Sequence, residues 1–418
     1  MSAPPRVDVV VVGGGAAGCA AAVAAARLGA RVLLVERYGF LGGAATNAQV
    51  LSYCGFHAAG PTPRAVVAGI GRDVLDGLAG RGFPVEPARS KSGNWIVMID
   101  PEAVKVTLDE LVVAHGVATM LHTRLVGVVR DGARLAAVVV ADHAGLHEIR
   151  AGAFVDASGE ADLAASAGVA MGQPGGPGAQ VQPASLPVRI GGVAPGVELD
   201  RAVMTALVAE HNATADVPIT RPDGGVLARL PGSGDVWWMA IDVATDGLGG
   251  ADLARAEMAA RAQAWANLAV LRRHPGFERA HVIATGPQLG IRESRRPRAV
   301  RDASGDDARH GARRTDAIAR AGWPMEVHEA PGRTRFVPLG GDGFFDVGVD
   351  ALRVPDVDNL WLAGRVIGAD ADAYGSVRVM GTAFATGQAA GVAVALQQQG
   401  GLAVERLQAA LRAQHALI

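Results

Sequence analysis

At 418 residues the chain is long enough for two or three domains and a sizeable core. Lys and Arg number 39 against 41 Asp and Glu, a net charge of −2, so no bulk positive field favours nucleic acid or an anionic membrane, and neither is expected as a partner. Two cysteines, Cys19 and Cys54, exclude a disulfide framework, a four-cysteine zinc site and an iron–sulfur cluster held by this chain alone; no metal is expected, and the reading is of a reduced, cytoplasmic protein.

The chain opens with a β-branched run over 7–12 broken only by Asp8, a glycine turn at 13–15, an Ala-rich helix over 16–28 ended by Gly29, and a second strand over 31–36. That is a βαβ opening of about 30 residues. A helical pattern over 101–115 starts at Pro101, and strands are expected over 125–130, 135–141 and 153–156, completing a nucleotide domain. Residues 172–178, GQPGGPG, lack periodicity and read as a linker to a second domain. There, 236–243 reads as a strand and 252–273 as an amphipathic helix stopped by Pro275 and Gly276. Trp265, Leu268 and Leu271 fall at core spacing, and Trp237 and Trp238 are expected to pack rather than stack on a ligand. Near the end, a short strand over 359–363 precedes Gly364 and Arg365, a polar loop, and an uncharged helix over 379–396. That helix and the stretch 9–26 each run 18 residues without charge, but both are interrupted by glycines and are expected as buried elements rather than membrane spans.

Gly13, Gly15 and Gly18 form a Gly-x-Gly-x-x-Gly that follows a strand and opens a helix. Gly13 permits the turn, Gly15 lets a pyrophosphate approach the backbone, and Gly18 lets helix and strand pack closely, with the helix-start amides at Ala16 and Ala17 facing the phosphate. Glu36 ends the second strand 18 residues beyond Gly18, where a carboxylate can accept from a ribose diol. Arg37 beside it and Val126 on the 125–130 strand complete the expected nucleotide contacts. NAD and FAD share this turn. Three further small-residue turns decide between them: Gly42, Gly43, Ala44 and Thr46 after the second strand; Ala157, Ser158 and Gly159 after the third; and Gly364 with Arg365 after the fourth. Together they suit an extended FAD better than NAD. Cys54 and His57 follow the 42–46 loop, but nothing in their spacing demands a covalent bond, so noncovalent FAD is expected. Cys19 reads as a small core residue.

The segments VVVVGGGAAGCAAA (9–22), GFLGGAATNAQV (39–50), FVDASGEADLA (154–164), LGIRESRR (289–296), DAIARAGWPMEVH (316–328) and NLWLAGRVIGADADAYGSVRVMGTAFATGQAAG (359–391) resemble, nearly end to end, the FAD-dependent oxidoreductases of the glutathione-reductase structural type. The likeness is closest to the bacterial group related to succinate dehydrogenase/fumarate reductase flavoproteins and to the heterodisulfide reductase A subunit. It implies an α/β fold: a Rossmann-like FAD-binding domain over 1–171 and 352–418, enclosing a mixed α+β substrate or cap domain over 172–351. It also implies that Gly364 and Arg365 lie near the pyrophosphate and that the amides at Val379 and Met380 face the isoalloxazine, where a helix N-terminus favours negative charge at N1/O2.

The stretch 292–301 carries five Arg, and either Arg292 or Arg295 reads as an anion clamp for substrate, against ion pairing with Glu293. His328 is a candidate acid/base against a structural histidine, while Tyr374 and Arg378 lie between the Gly364 turn and the flavin-facing helix. No second glycine fingerprint and no Cys-x-x-Cys occur, so neither a separate NAD(P)H domain nor dithiol chemistry is expected. The reaction expected is hydride transfer between a small organic substrate, anionic if the arginine clamp acts, and flavin N5, with an unknown electron acceptor. Alternatives are an electron-transfer subunit of a larger redox complex, an NAD(P)H-dependent flavin reductase or monooxygenase, and a flavin-dependent protein acting on nucleic acid through the Arg cluster. A homodimer is the default assembly.

Overall fold

The computed structural model describes residues 7–90, 92–172 and 180–418; the expected linker lies outside them except for Gly172. Four strands, Val9–Val12, Val32–Val35, Ala153–Asp156 and Leu360–Leu362, apolar throughout except for Asp156, are buried along their whole length. Such runs suit a parallel sheet covered on both faces. They form one, in the order Leu360–Leu362, Ala153–Asp156, Val9–Val12, Val32–Val35, Ala118–Met120. The edge strand Ala118–Met120 escapes sequence reading because it is short and largely exposed. The expected strands over 125–130 and 135–141 pair with each other and with Gly145–Arg150 in a separate antiparallel layer.

The helix Ala16–Arg27 and the C-terminal helix Met380–Gln398 cross almost backbone to backbone. A Cβ added at Gly387 would lie 2.1 Å from the Ala17 carbonyl oxygen, and one at Gly391 equally close to that of Ala21. This contact explains why both stretches are uncharged and rich in Gly and Ala. Among the described residues no single helix is long and apolar enough to cross a membrane; the pair Ala371–Val377 and Met380–Gln398 reaches that composition only across a 90° bend, and both members are largely buried.

The larger hydrophobic core joins side chains from residues 7–169 with others from 303–411. A second core, within 184–291, lies between an antiparallel sheet (Val226–Arg229, Val236–Met239, Val188–Gly191, His281–Thr285) and the helix Gly250–Leu271. The expected strand over 236–243 divides: Val236–Met239 stays in that sheet, while Asp242–Val243 turns to pair with Ala184–Ser185. Trp237 and Trp238 are buried, their indole N–H groups donating to the carbonyls of Gln49 and Gly224. Trp265 corrects the core assignment on the long helix, for it is 64% exposed. The buried stripe runs Ala256, Ala260, Ala264, Leu268, Leu271, and Trp265 projects from the opposite side.

Candidate functional site

The carboxyl ends of the first, third and fourth buried strands open on one cleft with about 1070 Å³ of empty space, its mouth included. Gly13, Gly15, Ala16 and Ala17 line its floor. The glycines there have different reasons to be glycine. Gly13 has φ 103° and would place a Cβ 2.3 Å from the Ala157 oxygen; at Gly18 a Cβ would fall 1.7 Å from the Gly13 oxygen. Gly15 has an ordinary extended backbone, and a Cβ there would meet nothing of this chain closer than Gly43 Cα at 3.5 Å. What a side chain at Gly15 would fill is the cleft itself. The helix it starts carries no side-chain cap and no acid in its first turn, so its free amides favour an anion.

The second strand delivers Glu36, whose carboxylate accepts from the amides of Gly14 (2.6 Å) and Tyr38 (3.0 Å). Burial raises its pKa against those hydrogen bonds, and the group lines the cleft. The loop after it is tied down by Gly42 N–H donating to the Gly14 oxygen and by Thr46 Oγ1 donating to that of Leu41. Gly43 and Ala44 thereby line the cleft, while Gly42 and Thr46 brace the loop from behind. After the third strand, Asp156 accepts from the Ser158 amide and hydroxyl and from the Ala164 amide, which shapes the turn presenting Ala157, Ser158 and Gly159.

Glu160 is the hub of the next layer. It is bound by Arg365 and by Arg37 (3.1 Å), while Asp162 takes Arg295. Burial would raise the Glu160 carboxyl, but Arg365 and Arg37 outweigh it and hold the pKa below the ordinary range. Arg37, Glu160 and Arg365 line the cleft, and Arg365 Nη1 is buried with no partner among the described residues. Arg295 also donates to the Glu160 carbonyl, which fits the ion-pairing reading of the Arg cluster better than a substrate clamp. Gly364, at φ 72°, sits where a Cβ would strike that of Ala17.

At the other end, Met380 lines the cleft from the first turn of the C-terminal helix, whose N-cap Val379 offers no side-chain hydrogen bond. Arg378 precedes it, also lining the cleft. Its Nη2 donates to the Glu326 carbonyl (3.1 Å) and lies 4.0 Å from that residue's carboxylate, while its Nε is buried without a partner. Asn47 presents a third such atom, Oδ1.

The remaining candidates stand behind this wall rather than in it. Arg292 is buried, 3.0 Å from Asp242 Oδ1 and donating to the Pro183 carbonyl, because a buried guanidinium needs a counter-ion; burial lowers its pKa and Asp242 resists that shift. The Tyr374 hydroxyl donates to the Arg292 carbonyl (3.1 Å). His328 lies between Glu326 (Nε2 to Oε1, 3.2 Å) and Thr334 (Nδ1 to Oγ1, 2.9 Å), with its pKa pushed down to about 4 by burial and by Arg292, so it is neutral at pH 7. Val126 is 51% exposed and outside the lining, which its neighbours Arg124 and Leu125 join. Cys54 and His57 are outside it too, and Cys19 is fully buried with its thiol on the Gly14 carbonyl.

Sequence reading missed the far wall. Gln288, Leu289, Gly290 and Ile291 reach across from the second core and close on Asn47 and Ala48, with Gln288 N–H donating to the Asn47 carbonyl at 3.3 Å and its side chain bonded to the Tyr38 hydroxyl. Three of these four residues open LGIRESRR (289–296), where the arginines outweighed the apolar residues before them.

A family model described as FAD dependent oxidoreductase matches residues 8–417. No curated protein matches the sequence. Among solved structures the chain is similar to RebC soaked with chromopyrrolic acid (TM-score 0.52, 14% identity, 98% of this chain and 64% of that one). It is also similar to CabE, an aromatic hydroxylase from angucycline biosynthesis (TM-score 0.51, 14% identity, 98% and 66%). A third is a geranylgeranyl bacteriochlorophyll reductase-like protein from Thermoplasma acidophilum (TM-score 0.48, 14% identity, 98% and 83%). The chain thus spans about two thirds of the length of the first two, and at these identities the likeness is one of fold.

Proposed function

The chain belongs to the FAD-dependent oxidoreductases, and on that footing we propose that it transfers a hydride between a small organic substrate and flavin N5, within a cleft of the glutathione-reductase type. FAD, when bound, supplies a two-electron carrier. The residues present fit it: uncapped amides and a bare Gly15 for the pyrophosphate, Glu36 for a ribose, and unpartnered buried nitrogens on Arg365 and Arg378.

The observation that carries the reading is Arg378. A guanidinium pinned through Nη2, on a residue that lines the cleft beside an uncapped helix N-terminus, favours negative charge developing at N1/O2 during reduction. Leu289 and Ile291, opposite, exclude water from the reacting face, and the substrate enters between the two cores. Arg292, Tyr374 and His328 lie behind Arg378, outside the cleft lining.

The test is anaerobic absorbance of the purified protein against panels of carboxylates, alcohols, amines and NAD(P)H, following the oxidised-flavin band near about 450 nm. Bleaching by one organic class supports the reading and names the substrate group. Rapid bleaching by NAD(P)H alone would replace it with a flavin reductase or monooxygenase.

A further inference from the structure

Sequence reading did not single out Glu326, and the cleft is not lined by it. It is nevertheless the nearest anion to Arg378, and its two functions are separable. Its main-chain oxygen accepts from Arg378 Nη2 at 3.1 Å and so fixes where the guanidinium sits. Its carboxylate lies 4.0 Å from the same nitrogen, beyond hydrogen-bond reach, and is held elsewhere: Oε2 accepts from Trp323 Nε1 at 2.8 Å, and Oε1 faces His328 Nε2 at 3.2 Å. The main chain is clamped independently. Gly375 approaches so closely that a Cβ there would lie 2.8 Å from both the nitrogen and the oxygen of Glu326, and Ser376 Oγ donates to the Trp323 carbonyl.

The carboxylate is therefore an immobilised charge with no part in aiming Arg378. A carboxylate only accepts, so neutral His328 presents Nε2–H to it and takes the Thr334 hydroxyl proton at Nδ1. The other charges facing this group are the cations of Arg292 and Arg221, both held by Asp242, at 3.0 and 3.7 Å, with Arg221 also paired to Asp223. Tyr374 and Cys54, also near, are uncharged because burial raises both. Histidine and tryptophan donors thus keep a full negative charge next to the one guanidinium that the reading above places against the flavin.

We propose that Glu326 is the residue that tempers Arg378: its carboxylate, locked by Trp323 and His328 at a fixed distance from the guanidinium, lowers the flavin's readiness to accept a negative charge without altering where Arg378 sits. This rests on the placement of Arg378 against the flavin. It predicts a sign that a merely structural role would not produce. Removing the carboxylate should make the flavin easier to reduce, whereas removing Arg378 should make it harder.

The experiment uses the FAD-loaded protein and reads two equilibrium properties, the affinity of the oxidised flavin for sulfite, an anion-forming probe of N5, and the flavin midpoint potential. Glu326→Gln keeps the main-chain acceptor and an oxygen for Trp323. The expected result is sulfite binding at least threefold tighter and a more positive potential, while Arg378→Met gives weaker sulfite binding and a more negative potential. If Glu326→Gln weakens sulfite binding, the carboxylate aims Arg378, and the tempering role is wrong; an unchanged affinity with a normal response to Arg378→Met overturns it as well. No response to either variant would mean that Arg378 is not against the flavin, which removes the underlying reading. Should Glu326→Gln fail to hold FAD, the double variant Glu326→Gln/Arg378→Met, which leaves no unpaired charge, is compared with Arg378→Met alone, and the same tightening is required.

Discussion

Arg365 and Arg378 both reach the cleft and both keep one buried nitrogen without a partner, yet they are built differently. Arg365 is held by the carboxylate of Glu160, which is shared with Arg37 and adjoins the Asp162–Arg295 pair, so its charge is embedded in a network. Arg378 is held by a main-chain oxygen, with its nearest carboxylate at 4.0 Å. The first arrangement suits a ligand of constant charge, such as a pyrophosphate. The second leaves a guanidinium whose influence depends on a neighbour's charge, which suits a ring whose charge changes during turnover.

The widest gap between the two ends should come from the phosphate end. Gly15→Leu fills the space the pyrophosphate needs, its Cβ making only ordinary contact with Gly43, and is expected to abolish FAD binding in folded protein; a yellow, FAD-loaded variant would remove the assignment. Glu160→Gln comes next, because it takes from the half-buried Arg365 its carboxylate and leaves Arg37 only Asp162: a loss of about 1–3 kcal/mol in unfolding free energy is expected, together with weaker FAD binding, read from chemical denaturation and flavin titration. Arg378→Met should divide the two ends cleanly, with FAD retained but the rate of flavin reduction down roughly 10²-fold in stopped-flow.

Acid should distinguish the ends more gently. His328 has its pKa lowered from 6.5 to about 4, so between those values the unfolded chain binds the extra proton. Its contribution to stability is complete above pH 6.5 and is lost as pH falls toward 4, with a slope of at most ~1.4 kcal/mol per pH unit. Replacing it with Gln should flatten the fall in melting temperature over that window. Trp265→Ala, at an exposed position remote from both ends, should change stability by no more than about 0.5 kcal/mol.

The parts legible in the sequence were those written locally. The strand, turn and helix over 9–27 declare themselves because the residues that pack on one another are neighbours, and the uncharged stretch before Leu396 does so through composition. The far wall at Gln288–Ile291 was not legible, since its closeness to Asn47 depends on how a second core sits and not on any spacing. Arg292 misled for a related reason: an arginine in a basic run looks exposed until Asp242, 50 residues earlier, is found opposite it. Trp265 misled because i, i+3, i+6 drifts around a helix, whereas the buried stripe steps by four from Ala256 to Leu268 before it reaches Leu271.

The crossing of the two Gly/Ala helices has a consequence in time. Ala17 and Ala21, beside the glycine turn, are covered only when Gly387 and Gly391 arrive. At roughly 5–20 residues per second, a ribosome needs on the order of 20–80 s to deliver that partner. Until then the helix after the glycine turn lacks the partner that covers these two alanines. Cofactor capture is thereby deferred until the helix Met380–Gln398 has been made, so a message truncated before it should yield a chain that takes up no flavin, however intact its fingerprint.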